Sequence, residues 1–295
     1  MNRFFPLIFL LLLSGCRVRD TARLRSVETL GVDYADGGYT LSVSTGEGTD
    51  ELPGLQLSAS GESLEKAMIA LEAKAEGQEL FYAHTRYVVL GEDAAPALSG
   101  LLDRFERAPE LRMALPLFCF RGKAEELVTD QDKEVGGLLR SLERSAEESG
   151  VCHIYTLLEC DRFLREEGYA LCPATDGEAL TGYALMGGDG IIYSSAEAAV
   201  GITLLYEGLD FVRLTVPLSN GYAAVETTKV RGSLCPYSLR ELEGEASAEE
   251  LDAAVAAYLT AVTEEAIRFL GADRSVPAYS ARLKRGYDLT RSDAP

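Results

Sequence analysis

Residues 29–43 read TLGVDYADGGYTLSV, with apolar positions on both sides of a polar, glycine-rich centre. That pattern predicts two short strands around a turn, with Asp36-Gly37-Gly38 supplying the positive-φ positions. The spacing then changes. In GESLEKAMIALEAKAEG, Leu64, Ala67, Met68 and Leu71 recur at helical intervals, and Ser63 is placed to cap the helix they predict. HTRYVVLG predicts a buried strand ending at Gly91, APALSGLLDRFERAP a helix stopped near Pro109, and LRMALPLFCFRG a further strand. Helical patterns follow over residues 123–128, 134–148 and 156–167. Strands alternating with helices in this way predict an α/β unit over about residues 24–175.

The texture differs beyond that point. LTGYALMGGDGIIYSS predicts a hairpin turning at Gly187-Gly188-Asp189-Gly190, and Ser194 with Glu197 forms a candidate capping box for the helix SAEAAVGITLLY. FVRLTVPLSNGYAAVETTKVRGSL predicts an antiparallel pair around Asn220-Gly221. The last strong pattern is SAEELDAAVAAYLTAVTEEAIRFLG. Ser247 and Glu250 form its capping box, Leu251, Val255, Tyr258, Leu259, Val262, Ala266, Phe269 and Leu270 lie on one face, and Gly271 is a natural stop. The fold class expected is mixed α/β (α+β) and multi-domain: mixed sheets with helices packed on them, and a C-terminal antiparallel sheet with one long helix.

The first residues carry a different signal. The apolar run over residues 4–13 follows Arg3 and ends at Leu13-Ser14-Gly15-Cys16. It is too short to span a bilayer, which takes roughly 20 apolar residues. A basic start, a short apolar core and small residues before a cleavage point are the parts of a secretory leader. LSGC resembles the lipobox of bacterial lipoproteins, which implies cleavage before Cys16 and lipidation of its thiol. Diacylation there would supply the two chains that stable anchoring takes. The expected organisation is a signal peptide (1–15), an N-terminal α/β domain (16–175), a small hairpin–helix domain (176–212) and a C-terminal α/β domain (213–295).

Composition narrows the function. Without residues 1–15 the chain has 27 basic and 47 acidic residues, a net charge of −20. Nucleic-acid binding needs a basic footprint, so that class is excluded. Adhesion to anionic lipid through the protein surface is disfavoured, which leaves membrane attachment to Cys16. Cys119, Cys152, Cys160, Cys172 and Cys235 form no C-x-x-C pair, so a zinc ribbon or thioredoxin-like site is unsupported; an extracytoplasmic location permits a disulfide, with Cys152, Cys160 and Cys172 the nearest candidates, but free, mostly buried thiols are expected.

Candidate chemistry is sparse. The two histidines, His84 and His153, belong to no metal-ligand spacing, and no G-x-S-x-G or phosphate-loop pattern occurs. Glu125-Glu126, Glu147-Glu148 and Glu166-Glu167 fall on helical patterns and read as solvated faces. His84, at the mouth of an apolar strand, reads as a structural residue bonded to a backbone group. No catalytic, cofactor-binding or metal-ligating residue is assigned; Cys16, as the lipid-bearing residue, is the one site.

Taken in order, these segments resemble the Ger(x)C family, lipoproteins that form the C subunit of nutrient germinant receptors in endospore-forming bacteria. The residues that carry the resemblance are Cys16 and the arginine-containing segment after it, LGVDYADGGYTLSV, GESLEKAM, FYAHTRYVVLGEDAA, LLDRFERAPELRMALPLFCFRGKAEELV, LTGYALMGGDGII and the helix from Ser247. The chain departs from the family in having Arg17 where Trp is common, and in its length after the long helix, so a shortened C-terminal domain is expected. The resemblance implies a non-enzymatic, lipid-anchored subunit on the extracytoplasmic face of the cell membrane, the spore inner membrane. It would assist assembly or signal relay, partnered by the membrane-embedded A and B germinant-receptor subunits, with no cofactor and no small-molecule substrate. The alternative is a solute-binding lipoprotein of a membrane transporter. That class needs two lobes of repeated βα units around a cleft, and the hairpin-rich second half speaks against it.

Overall fold

The computed structural model describes residues 23–46, 53–108, 111–149, 152–187, 190–205, 211–230, 233–234 and 237–271. Its largest element is an eight-stranded mixed sheet in the order β10-β9-β8-β7-β6-β2-β3-β4. Four neighbouring strands at its centre run parallel: β2 (Thr29–Ala35), β6 (Tyr87–Leu90), β7 (Leu117–Phe120) and β8 (Tyr169–Thr175). Antiparallel strands flank them, β3 (Gly38–Ser44) and β4 (Gln56–Gly61) on one side, β9 (Leu180–Gly187) and β10 (Gly190–Tyr193) on the other. A short parallel pair, β1 (Leu24–Ser26) with β5 (Glu79–Phe81), lies outside this sheet.

The apolar run of β6 explains the layering. All four residues are buried because a central parallel strand is covered on both faces. Val88 and Leu90 point into a core shared with α1 (Leu64–Lys74), α2 (Leu98–Arg107) and α5 (Leu157–Glu167). Tyr87 and Val89 point the other way, against α3 (Ala124–Val128) and α4 (Val135–Ser149). Ser63 caps α1 by accepting from Lys66 N. Thr156 and Glu159 form a reciprocal capping box on α5. The turn between β2 and β3 uses Asp36 and Gly37 for its positive φ values, 51° and 79°, and Gly38 already belongs to β3.

A second, antiparallel sheet follows: β11 (Phe211–Leu218), β12 (Gly221–Val230), β13 (Ser233–Leu234) and β14 (Ser238–Glu243). Leu218 pairs with Gly221, so the turn residues are Ser219 and Asn220, one position earlier than expected. Val212, Leu214, Val216, Ala223 and Val225 line its inner face with Leu251 and Val255 of α7 (Ala248–Gly271). Ser247 and Glu250 cap α7 reciprocally, Ser247 N donating to the Glu250 carboxylate at 2.8 Å and Glu250 N to Ser247 Oγ at 3.2 Å.

One cap departs from expectation. Helix α6 (Ala196–Leu205) is capped by Ser195, whose Oγ accepts from Ala198 N at 3.1 Å. Ser194 turns inward instead: its Oγ accepts from Tyr183 N and its own N donates to Tyr183 O, both at 2.8 Å. The hairpin β9–β10 forms as expected, with residues 188–189 of its turn outside the described residues.

Candidate functional site

In an open α/β sheet the carboxyl ends of the parallel strands are where ligands bind, in the crevice left when the strand order reverses. Here β2, β6, β7 and β8 lie side by side in chain order, and the direction changes at β2, which the chain leaves on one side for β3 and β4 before returning on the other as β6. The polar groups at their ends are bound to one another. Asp33, buried near the end of β2, points both carboxylate oxygens at the start of α3. Oδ1 accepts from Ala124 N at 2.7 Å and Oδ2 from Glu125 N at 2.8 Å. These are N–H groups that the first turn of a helix leaves without partners. Burial raises the Asp33 carboxyl above its usual range, and the two N–H bonds offset that rise only in part.

Gly91 makes room for this clasp. A Cβ at Gly91 would stand 1.9 Å from Asp33 Oδ1, although its φ of −72° suits any residue. The neighbouring loops close in the same manner. Gly91 N donates to Val32 O at 2.9 Å, Glu92 N to Gly122 O at 3.0 Å and Arg121 N to Thr175 O at 3.0 Å. Asp176 Oδ1 accepts from Glu178 N and Ala179 N, both at 2.9 Å, and these bonds hold its carboxyl below the usual range.

Beside this end of the sheet lies an open concavity of about 310 Å³, lined by Glu92, Asp93, Pro96, Gly190, Ile191 and Tyr193. Arg121 stacks over the Tyr193 ring at 4.4 Å. The lining is acidic, with a tyrosine as its aromatic wall, and brings together no acid–base pair or nucleophile. A second hollow, of about 350 Å³, lies between α4 and β11 and is lined by Ser141, Arg144, Ser145, Glu148 and Arg213.

The sequence candidates are dispersed. His84 sits in a 3-10 turn after β5 and is exposed, its Nδ1 2.9 Å from Ser26 Oγ and its ring edge-on to Phe81. Its partner is thus a side chain rather than the backbone group expected. His153 precedes α5, its Nε2 3.4 Å from Glu159 Oε1. Burial alone would raise the Glu159 carboxyl, but hydrogen bonds from His153 and Thr156 outweigh it and hold the group down at about 2. Glu126, Glu147, Glu148 and Glu166 are solvent-exposed, as expected; Glu125 is half-buried and accepts from Ser58 Oγ. Cys119, Cys152, Cys160 and Cys172 are free and buried, and burial pushes the Cys152 thiol up to about 12. Cys16 and Cys235 lie outside the described residues. Among the described residues no group of three or more His, Cys, Asp or Glu could hold a metal ion, and no helix is long and apolar enough to cross a membrane.

The sequence reading missed Asp33, although a signal was present. An aspartate closing the apolar run LGVD, in a strand otherwise buried, needs a partner. It missed Tyr183 as well, a fully buried tyrosine whose hydroxyl accepts from His153 N at 2.7 Å and is 2.9 Å from Thr203 Oγ1.

Fold and site together define a mixed α/β protein whose strand-end polar groups are taken up by its own loops. Residues 18–175, more than half of the chain, match the family described as spore germination protein N-terminal domain. The chain belongs to that family, and its role lies in spore germination. The resemblance drawn from the ordered motifs is thereby borne out. Searches of the curated proteins and of the solved structures found no match.

Proposed function

We propose that this chain is a lipid-anchored, non-enzymatic subunit of a spore nutrient-germinant receptor, acting in assembly or signal relay. The observation that carries the proposal is the family match over residues 18–175, which spans the whole parallel core of the large sheet. The site supports it: the Asp33 carboxylate and the loop amides that would otherwise meet a ligand are bonded within the chain. In this reading residues 1–15 are a signal peptide, Cys16 carries the lipid, and the body stands on the extracytoplasmic face of the spore inner membrane. Its partners are the membrane-embedded A and B subunits.

Calorimetry on the chain with a panel of amino acids, sugars and nucleosides tests the non-binding half of the proposal. No saturable heat is expected up to millimolar ligand. A micromolar dissociation constant for any of them would favour a solute-binding lipoprotein instead.

A further inference from the structure

Helix α6 has no polar face over two turns. Seven consecutive residues, Ala198, Ala199, Val200, Gly201, Ile202, Thr203 and Leu204, are buried. A helix apolar all round is an interior helix, and this one stands between two cores. Ala199 and Ile202 belong to the core of the large sheet, and Val200 and Leu204 to the core of the second sheet. Helix α7 divides in the same way: Leu251, Val255 and Val262 pack with the second sheet, Ala266 and Leu270 with the first.

The two helices meet at Gly201. A Cβ there would stand 2.0 Å from Val262 O, 2.6 Å from Val262 C and 2.7 Å from Ala266 Cβ. The first two are backbone atoms, so any larger side chain forces α7 away from α6. On its other side α6 is pinned to the large sheet by a buried polar chain. His153 N donates to Tyr183 Oη at 2.7 Å, and that hydroxyl shares a 2.9 Å hydrogen bond with Thr203 Oγ1. Two further bonds, to Ser194, hold the Tyr183 backbone at the entry to α6.

We propose that α6 is a coupling helix, keyed to α7 at Gly201 and to β9 at Tyr183–Thr203, which makes the two sheets open and move as one unit. The approach at Gly201 leaves no room for a side chain and the Tyr183–Thr203 bond is buried, so load on either sheet passes to the other through α6. The coupling is a property of the fold and does not depend on the receptor reading. Where that reading holds, it supplies a route by which contact at the second sheet is felt at the strand ends of the first.

Hydrogen exchange and calorimetry on the full-length chain in mild detergent test it. The unaltered chain should melt in one transition, with β6, β7, β11 and β12 sharing one slow opening. Gly201→Leu should split this into two transitions about 5 °C or more apart, the second sheet melting first. Thr203→Val, which keeps shape and removes the hydroxyl, decides the matter if the leucine variant does not fold. Exchange in β11, β12 and α7 should then rise at least about threefold more than in β6 and β7. Two separate transitions in the unaltered chain, or equal exchange changes in both sheets of the valine variant, would overturn the proposal.

Discussion

Asp33 shows what a single residue contributes here. Its two oxygens satisfy two amides at the start of α3, away from water. Asp33→Ala would leave both donors unpaired, at about 1–3 kcal/mol for each unsatisfied group. A loss of about 2–6 kcal/mol in denaturant unfolding is therefore expected, with Asp33→Asn, which keeps one acceptor, losing about half as much. A loss below about 0.5 kcal/mol for the alanine variant would mean that the clasp does not hold α3. Glu159 makes a pH prediction. Its folded carboxyl is held at about 2, below the roughly 4.3 of an unfolded glutamate. A depressed carboxylate stabilises the fold above the unfolded value and loses that contribution as pH falls through the folded one. Stability should thus fall between about pH 4.3 and pH 2, and Glu159→Gln should flatten that part of the profile. Unfolding midpoints across the range check it, and an unchanged slope in the variant would contradict it.

At the scale of elements, the clearest patterns in the sequence became the structure. Leu64, Ala67 and Leu71 form the buried face of α1, and the Ser247–Glu250 box opens α7 as its spacing indicated. Strand β8 gave no such pattern, because YALCPAT is buried on six of its seven positions and so has no alternation to read. The start of α6 was misplaced by one residue for a related reason. Ser194 has Glu197 three positions on, where Ser195 has Ala198, so the local spacing pointed to Ser194, and only the inward course of the chain at Tyr183 reveals Ser195 as the cap. Their substitutions should differ accordingly. Ser195→Ala removes a surface cap worth about 1 kcal/mol. Ser194→Ala leaves the buried Tyr183 amide without its acceptor, and a cost of about 1–3 kcal/mol is expected. Thermal unfolding of the two variants checks the order, and a larger loss from Ser195→Ala would show that the cap rather than the inward bond sets this junction.

For the whole molecule, the division of labour between sequence and structure follows from distance along the chain. The mixed fold class was readable because periodicity is local. The Asp33 clasp was not, because Asp33 and Ala124 stand 91 positions apart. The joining of two cores through α6 was likewise invisible: a largely apolar stretch such as residues 198–205 reads the same whether it covers one core or two. The candidate site was legible mainly as an absence of catalytic motifs, and the family match over residues 18–175 turns that into a role in spore germination. The proposed function has this protein work through contact with membrane subunits. Affinity purification of the full-length chain from detergent-solubilised spore membranes, beside a Cys16→Ala variant, tests it most directly. Recovery of the A and B subunits in near-stoichiometric amount with the unaltered chain, and their marked reduction with the variant, is the result predicted. A chain present at normal abundance on the membrane that brings down neither subunit would contradict the account.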